Sequence, residues 1–277
     1  MAIAKLSEVS IEYFEAGEGP EKVVFIHGFQ ASAQIWHAVQ EALPNDRYSS
    51  IAINNRGAGN SDAPDDEHQY GIGPFASDAF ELVERLGWDR FTLVGHSLGG
   101  ATVAQFAVDH PERVSGLVLL DPADPDGRNA SPDEIDQLID ERMAARRAQR
   151  ERGARGGDGI DRPQLVSRAD EAEPWREALV RDIEAAPEVR LRGSMRSMFA
   201  LRLGARVRSL PMPVILIAGD RDALIPIESM LATWAKYPEG SALHVWHGIG
   251  HSPNVDCPEE LTQVLRHFIE VTVPANA

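Results

Sequence analysis

The sequence predicts an α/β protein built on a mostly parallel, doubly wound sheet. Short runs that are almost entirely apolar recur along the chain, as expected for strands that are buried on both faces. Stretches with helical periodicity separate these runs, and strands that alternate with helices are typical of parallel sheets. A chain of 277 residues, 43% hydrophobic and 25% charged, is long enough for one such domain with an insertion.

The first part of the chain supplies four predicted strands. Residues 9–13 alternate apolar with polar side chains, which favours a half-exposed edge strand. The runs at 22–26, 51–53 and 91–94 are nearly all apolar and indicate buried strands. A helix is expected before Gly87, and its apolar face is formed by Phe75, Ala79, Leu82, Val83 and Leu86.

Two further apolar runs, at 117–120 and 214–217, enclose a stretch of different composition. From Pro122 to Ser209 the chain has 17 arginines, no lysine and 17 acidic residues, so this stretch is neutral and the formal charge of −16 lies elsewhere. Such a change in composition indicates a boundary.

Helical signals fill this arginine-rich stretch. Ser131-Pro132-Asp133-Glu134 is a capping box with proline at the first helical position. Apolar stripes at 175–183 and 191–199 follow a glycine- and arginine-rich loop at 153–159. We therefore expect a helical cap at 123–209, inserted into a core formed by 1–122 and 210–277.

The chain closes with a helix, a short strand and a helix. These are predicted at 227–237, 242–246 and 258–271. The last helix has an apolar face with Leu261, Leu265 and Phe268, which suits packing against a sheet.

The composition also limits the partners and the compartment. A charge of −16 argues against nucleic-acid or anionic-membrane partners. Residues 1–10 include Lys5 and Glu8 and no long apolar run, so we do not expect a signal peptide, and no apolar run is long enough for a membrane span. The single cysteine, Cys257, suits a reducing compartment, so a cytoplasmic location is expected.

The candidate nucleophile follows the third buried run. Gly95-His96-Ser97-Leu98-Gly99 has the GxSxG pattern between a strand and a helix, which holds a serine exposed on a sharp turn. The amide of Leu98, at the helix start, is then a natural donor to a developing oxyanion. The amide of Phe29, in the loop after the first buried strand, is expected to be the second donor.

A serine nucleophile needs a base, and His251 is the strongest candidate because it lies in the loop between the last strand and the last helix. His27 and His96 are adjacent to the expected site but are predicted to pack and to form hydrogen bonds. Three other histidines are weaker candidates for the base because of their positions in the sequence. They are His110, His244 and His247.

The carboxylate that orients the base is expected at Asp222, after the fifth buried run. Asp121, after the fourth run, remains an alternative acid because it also ends a strand. Asp220 is more simply explained as a turn-shaping residue that accepts backbone hydrogen bonds.

Five motifs occur in order along the chain. They are His27-Gly28-Phe29, Arg56-Gly57-Ala58-Gly59-Asn60-Ser61, Gly95-His96-Ser97-Leu98-Gly99-Gly100, Gly219-Asp220-Arg221-Asp222 with Pro226, and Gly250-His251 with Pro258-Glu259-Glu260. In these motifs the sequence resembles the α/β-hydrolase superfamily, in the branch with a helical cap. The resemblance implies an α/β-hydrolase fold, a triad of Ser97, Asp222 and His251, and an oxyanion hole formed by Phe29 and Leu98. One departure is Asn54, where relatives commonly have aspartate at a structural position.

The resemblance also narrows the chemistry. Relatives that open epoxides or displace halide have an aspartate where this chain has Ser97. We therefore expect a hydrolase of carboxylic esters, including lactones, which needs no cofactor or metal and acts on a small-molecule substrate. Two alternatives remain, which are a C–C bond hydrolase of vinylogous diketones and a receptor of the same fold without catalysis. Substrate and oligomeric state are not predicted.

Overall fold

The computed structural model describes residues 1–151 and 174–273, so the loop predicted at 153–159 lies outside the described residues. Eight strands form one sheet. The strands are β1 (Ala2–Lys5), β2 (Ser10–Ala16), β3 (Glu21–Ile26), β4 (Tyr48–Ile53), β5 (Phe91–His96), β6 (Val114–Leu120), β7 (Val214–Gly219) and β8 (Ala242–Trp246).

The strand order across the sheet is β1-β2-β4-β3-β5-β6-β7-β8. All neighbours from β4 to β8 are parallel, whereas β2 is antiparallel to both β1 and β4. The predicted α/β class with a mostly parallel sheet is therefore confirmed. The prediction that 9–13 forms an edge strand is wrong, because Ala2 pairs with Tyr13 and the short strand β1 takes the edge.

Helices cover both faces of the sheet. They are α1 (His37–Ala42), α2 (Ile72–Arg85), α3 (Leu98–Asp109), α4 (Pro132–Glu151), α5 (Pro174–Ala185), α6 (Glu188–Ala200), α7 (Gly204–Val207), α8 (Ile227–Trp234), α9 (Pro253–Asp256) and α10 (Pro258–His267). On one face α2, α3 and α8 pack on alternate strand residues such as Val24 and Ile26. On the other face α1 and α10 pack on Val23 and Phe25. Burial on both faces explains why these strands read as continuous apolar runs.

Between β6 and β7 the described residues form four helices, α4 to α7, and no strand. The capping box is confirmed, since Glu134 accepts a hydrogen bond from the amide of Ser131 at 2.7 Å and Pro132 is the first residue of α4. Helices α4 and α6 share a small apolar cluster that includes Ile139, Met143 and Leu191. The division of the chain at 122 and 210 stays a prediction. In the part of the chain that the structure describes, no helix is both long and apolar enough to cross a bilayer.

The turn from β5 into α3 requires two glycines. A Cβ on Gly95 would overlap the carbonyl oxygen of Gly99, and a Cβ on Gly99 would overlap the carbonyl oxygen of Ile26 in β3. The missing side chains let α3 begin directly behind the strand ends, which brings Ser97 to the edge of the sheet.

We predict that Gly99→Ala destabilises the protein by more than about 3 kcal/mol, because the added methyl group meets the backbone of β3 and not a flexible side chain. Urea unfolding followed by circular dichroism measures the loss. The matched control is Gly250→Ala, where the methyl group would enter open space. It should stay within about 1 kcal/mol of the parent chain. Equal stability of the two variants would contradict the proposed role of the glycine contact.

Candidate active site

The carboxyl ends of five neighbouring strands lie side by side, and the loops that follow these strands bring five polar or aromatic residues together. Strands β3, β5 and β6 are followed by Phe29, Ser97 and Asp121. Strands β7 and β8 are followed by Asp222 and His251. Because these strands lie side by side and parallel, their carboxyl ends form one crevice. Phe29, Ser97 and His251 line a single cavity there, with a volume of about 330 Å³.

Ser97 has a strained backbone, with φ of 54° and ψ of −116°. Its amide donates to the carbonyl oxygen of Leu120 at 2.9 Å, and its own carbonyl accepts from the amide of Ala123 at 3.0 Å. These bonds to the end of β6 hold the turn. Leu98 begins α3, so its amide has no acceptor within the helix and is available at the site.

His251 and Asp222 form a buried pair. The Nδ1 atom of His251 lies 2.6 Å from Oδ2 of Asp222, and the two residues are only 4% and 5% exposed. The other carboxylate oxygen of Asp222 accepts from the amides of Leu224 at 2.7 Å and Ile225 at 3.0 Å. Because Nδ1 donates its proton to Asp222, Nε2 is left as the proton-accepting nitrogen of His251.

The surroundings of Asp222 favour its ionised form. Burial opposes ionisation, but the hydrogen bond from His251, the charge of that ring and the amides of Ile225 and Leu224 outweigh burial. The pKa of Asp222 therefore lies below its ordinary value. An ionised Asp222 can fix the orientation and the tautomer of His251.

Asp121 lies beside this pair and has a different charge state. Its carboxyl oxygen, one from Asp222 and a ring nitrogen of His251 lie within 4.8 Å of one another. Asp121 is fully buried, has a φ of 37°, and accepts one hydrogen bond from the amide of Gly219 at 3.3 Å. Burial and the charge of Asp222 raise the pKa of Asp121 well above its ordinary value.

Two further histidines at the site are held neutral. Burial, assisted at His27 by the charge of Arg190, lowers the pKa of His27 and of His96 to about 3. Nε2 of His96 lies 2.7 Å from the carbonyl oxygen of His251, while Nδ1 of His27 lies 2.8 Å from that of Gly28. Both rings therefore fasten backbone around the cluster and are unsuited to proton transfer near neutral pH.

The loop after β3 approaches Ser97 closely. A Cβ on Gly28 would lie 3.1 Å from Cβ of Ser97, and Gln30 takes a left-handed φ of 61°. A buried guanidinium from α6 holds this loop, because Arg190 donates to the carbonyl oxygens of Ala31 at 2.9 Å and Gly57 at 3.1 Å. Burial lowers the pKa of Arg190 to about 10. The sequence analysis did not identify Arg190 as a site residue, because the carbonyl groups that it binds belong to residues far from it in the chain.

The rival residues of the sequence analysis lie elsewhere or have other partners. Asp220 accepts from the amide of Gly248 and from Nδ1 of the exposed His247, both at 2.6 Å, so it shapes the turn. His110 stacks on Phe80 with ring centroids 3.9 Å apart. His244 packs on Trp246 in β8.

Asn54 has a structural explanation. Its side-chain oxygen accepts from the amide of Ala33 at 2.6 Å, while its nitrogen donates to the buried carboxylate of Glu12 at 2.7 Å. An aspartate could not donate this second bond and would face Glu12 with a like charge. Nearby, Arg56 forms two hydrogen bonds with Asp78, at 2.7 and 2.8 Å, which fasten the same loop to α2.

A family model described as the alpha/beta hydrolase fold matches residues 22–258. The chain belongs to the α/β-hydrolase family. The resemblance expected from the five motifs is thereby confirmed.

Individual relatives extend this assignment. This α/β hydrolase is 30% identical over 281 residues to an uncharacterized protein of Mycobacterium tuberculosis strain H37Rv, covering 94% of this chain and 78% of the relative. It is 27% identical over 255 residues to a non-heme chloroperoxidase of Kitasatospora aureofaciens, covering 88% and 89%. A malate-bound thermophilic esterase from Thermogutta terrifontis superimposes with a TM-score of 0.80 at 25% identity, covering 99% and 100%. The general function of this α/β hydrolase is therefore that of an esterase-like hydrolase.

We predict that Asp121→Asn gains stability relative to the parent α/β hydrolase as the pH rises. A raised pKa in the folded state means that the native protein holds a proton more tightly than the unfolded chain. The parent therefore loses stability as the pH increases from about 4, the ordinary pKa of aspartate, through the folded pKa. Asparagine does not titrate, so the difference in unfolding free energy, variant minus parent, should increase over this window.

Urea titrations at intervals from pH 4 to 8 measure this difference. Asp220→Asn is the control, because hydrogen bonds from Gly248 and His247 lower the pKa of Asp220, and its contribution changes only below the ordinary pKa. A pH-independent difference for Asp121→Asn would show that Asp121 is ionised in the folded protein throughout.

Proposed function

We propose that the chain is a serine hydrolase of carboxylic esters, acting through an acyl-enzyme on Ser97. The observation that carries the proposal is the shared cavity of Ser97 and His251, in which the ring is already oriented by Asp222 at 2.6 Å. Esterase-like relatives that match nearly the whole chain support the same chemistry.

In this mechanism the hydroxyl of Ser97 attacks the ester carbonyl while Nε2 of His251 accepts its proton. The imidazolium then donates that proton to the departing alcohol. Water enters, His251 removes a proton from it, and the resulting hydroxide attacks the acyl carbon. The imidazolium then returns the proton to Oγ of Ser97 as the bond to the acyl group breaks, which releases a carboxylic acid. The cycle uses only side chains and water, so the proposal includes no cofactor and no metal ion.

The amides of Phe29 and Leu98 are proposed to stabilise the oxyanion. Both belong to segments that border Ser97, one in the loop held by Arg190 and one at the first turn of α3. Donors fixed in advance at a poorly solvated site stabilise a developing charge more than solvent would. The partial positive charge at the start of α3 acts in the same direction.

Asp222 is the proposed acid of the triad, and Asp121 is proposed to be its neutral neighbour. Two carboxyl groups so close together and so deeply buried favour a state with one proton between them. The raised pKa of Asp121 and the lowered pKa of Asp222 assign the proton to Asp121. Asp121 thus supplies polarity next to Asp222 without a second negative charge.

The helices between β6 and β7 are proposed to act as a cap, as the sequence analysis expected for 123–209. Met198 and Phe199, near the end of α6, line the cavity together with Ser97. A small-molecule ester would enter between these side chains and the core. A cytoplasmic location is part of the same proposal, consistent with the single, buried Cys257.

One observation favours a second candidate, a C–C bond hydrolase of vinylogous diketone acids. Arg128 and Arg142 line the cavity and could receive the acid group of such a substrate. Phe29 places a large side chain in the lining of the same cavity, which favours the ester hydrolase. A comparison of turnover on an aryl ester and on a vinylogous diketone acid separates the two.

We predict that Ser97→Ala lowers the turnover of 4-nitrophenyl esters by at least about 10⁴-fold while the protein stays folded, because the nucleophile is lost. Labelling by a fluorophosphonate, read by intact-mass spectrometry, should disappear with it. Ser229→Ala is the matched control, because Ser229 lines the same cavity on α8 and should leave labelling intact. A folded parent protein that resists labelling would favour the non-catalytic receptor.

We further predict that replacing Asp222 and replacing Asp121 have very different effects on kcat. Asp222→Asn removes the charge that orients His251 and should lower kcat by about 10⁴-fold. Asp121→Asn should lower kcat by about tenfold at most, because asparagine retains the neutral, donating character of the protonated acid. Steady-state kinetics on one ester measures both. The reverse order of effects would assign the role of triad acid to Asp121.

A further inference from the structure

We propose that the cavity binds esters that carry a free carboxylate, and that Arg128 is the residue that receives it. This inference rests on the proposed function, because it concerns the substrate of the Ser97 site. Ser97 and His251 line the cavity, and so does Arg128, which bears a guanidinium. Met198, Leu224 and Ile225 contribute apolar side chains to the same lining.

Arg128, in the loop before α4, differs in its contacts from two arginines of α6, Arg192 and Arg196. Arg192 pairs with Asp140 at 2.6 Å and with Glu67 at 3.3 Å. Arg196 pairs with Glu67 and with Asp136, both at 3.0 Å. The charges of these two arginines are therefore balanced by carboxylates of the protein. Among the residues that the structure describes, no carboxylate pairs with the guanidinium of Arg128.

The side chain of Arg128 is held in place by an aromatic ring and not by an ion pair. Its guanidinium carbon lies 4.8 Å from the ring centroid of the buried Phe199. A guanidinium stacked on an aromatic face keeps its N–H groups directed outward in the plane, where a carboxylate can accept two of them. Stacking also reduces the side-chain entropy that binding would otherwise cost.

The backbone of Arg128 is fixed as well. Its amide donates to the carbonyl oxygen of Phe199 at 2.8 Å, and its carbonyl accepts from the guanidinium of Arg202 at 2.9 Å. The preceding Gly127 has a φ of 59°, and a Cβ there would overlap the carbonyl oxygen of Phe199. The loop therefore presents Arg128 at the cavity from a constrained position.

The charges around the cavity leave Arg128 available for an anion. Asp124 also lines the cavity, but its Oδ1 lies 2.5 Å from Nζ of Lys236, which in turn lies 3.0 Å from Asp126. The negative charge of Asp124 is thus balanced within the protein. The planar fork of one guanidinium matches the two oxygens of a planar carboxylate, and a net charge of −16 further disfavours dianions. A carboxylate suits these constraints better than a phosphate.

The experiment compares mono-4-nitrophenyl glutarate, which ends in a carboxylate, with neutral 4-nitrophenyl hexanoate. The readout is the ratio of kcat/KM for the two esters, in the parent protein and in Arg128→Met and Arg128→Lys. We expect Arg128→Met to lower this ratio about tenfold, mainly through KM for the glutarate ester, as for loss of one charge-assisted pair. Lysine should retain part of the ratio because it keeps the charge but not the fork. Arg147→Met, which removes an arginine paired with Glu188 at 2.6 Å, should leave the ratio unchanged.

A binding measurement keeps the inference testable apart from catalysis. Glutarate should raise the melting temperature of the Ser97→Ala protein, and the combined Ser97→Ala, Arg128→Met protein should lose this shift. An unchanged ratio in Arg128→Met, or equal shifts in the two proteins, would overturn the carboxylate site while leaving ester hydrolysis intact. A larger shift with inorganic phosphate than with glutarate would also overturn it. Failure of the proposed function is separate, since it would appear as no turnover of either ester and no fluorophosphonate labelling.

Discussion

The contact between the start of α3 and the end of β3 is the constraint on which the rest of the site depends. Gly99 lies against the carbonyl oxygen of Ile26, so the helix begins without an intervening side chain. Ser97 is then forced into a left-handed backbone at the sheet edge. The loop at Gly28 also lies against Ser97, since a Cβ on Gly28 would lie 3.1 Å from the Cβ of Ser97. A larger residue at 99 would separate all of these groups together, which is why a single backbone contact governs both stability and geometry.

Burial and hydrogen bonding together determine which of the titratable groups at the carboxyl ends of the strands carry charge. His27 and His96 are deeply buried and have low pKa values, so they remain neutral and act as hydrogen-bonding supports. Asp222 receives three hydrogen bonds and stays ionised, whereas Asp121, with one, holds its proton. The number of donors thus decides the order in which two neighbouring acids ionise. The resulting cluster has one anion beside His251, which is the arrangement that an imidazole base requires.

The sequence predicted the strands of the central sheet well, because burial on both faces leaves a continuous apolar run that few other structures share. It did not predict β1, since Ala2–Lys5 is four residues long and only half-buried, and the alternating strand β2 was consequently misplaced at the edge.

For the site, motif order identified the nucleophile, acid and base candidates. The charge state of Asp121 was beyond the sequence, because it depends on packing against Asp222. Arg128 and Arg190 could not be distinguished by sequence among the 17 arginines of residues 122–209. Only tertiary contacts distinguish an ion-paired guanidinium from one that faces a cavity or a carbonyl.

Helix α6 connects substrate recognition to the geometry of the reacting centre. Near its start, Arg190 holds the loop that contains Phe29, and near its end Phe199 supports Arg128. Both contacts involve guanidinium groups, but they differ in consequence. The buried Arg190 uses its donors on backbone carbonyls and so acts on the position of the proposed oxyanion donor. Arg128 keeps its donors for a ligand.

Because the one helix α6 carries both supports, a shift of α6 along its axis would alter the fit of the substrate and the alignment of the Phe29 amide at once. Changes in this helix are therefore expected to affect KM and kcat jointly, whereas changes confined to the Arg128 side chain should act mainly on KM.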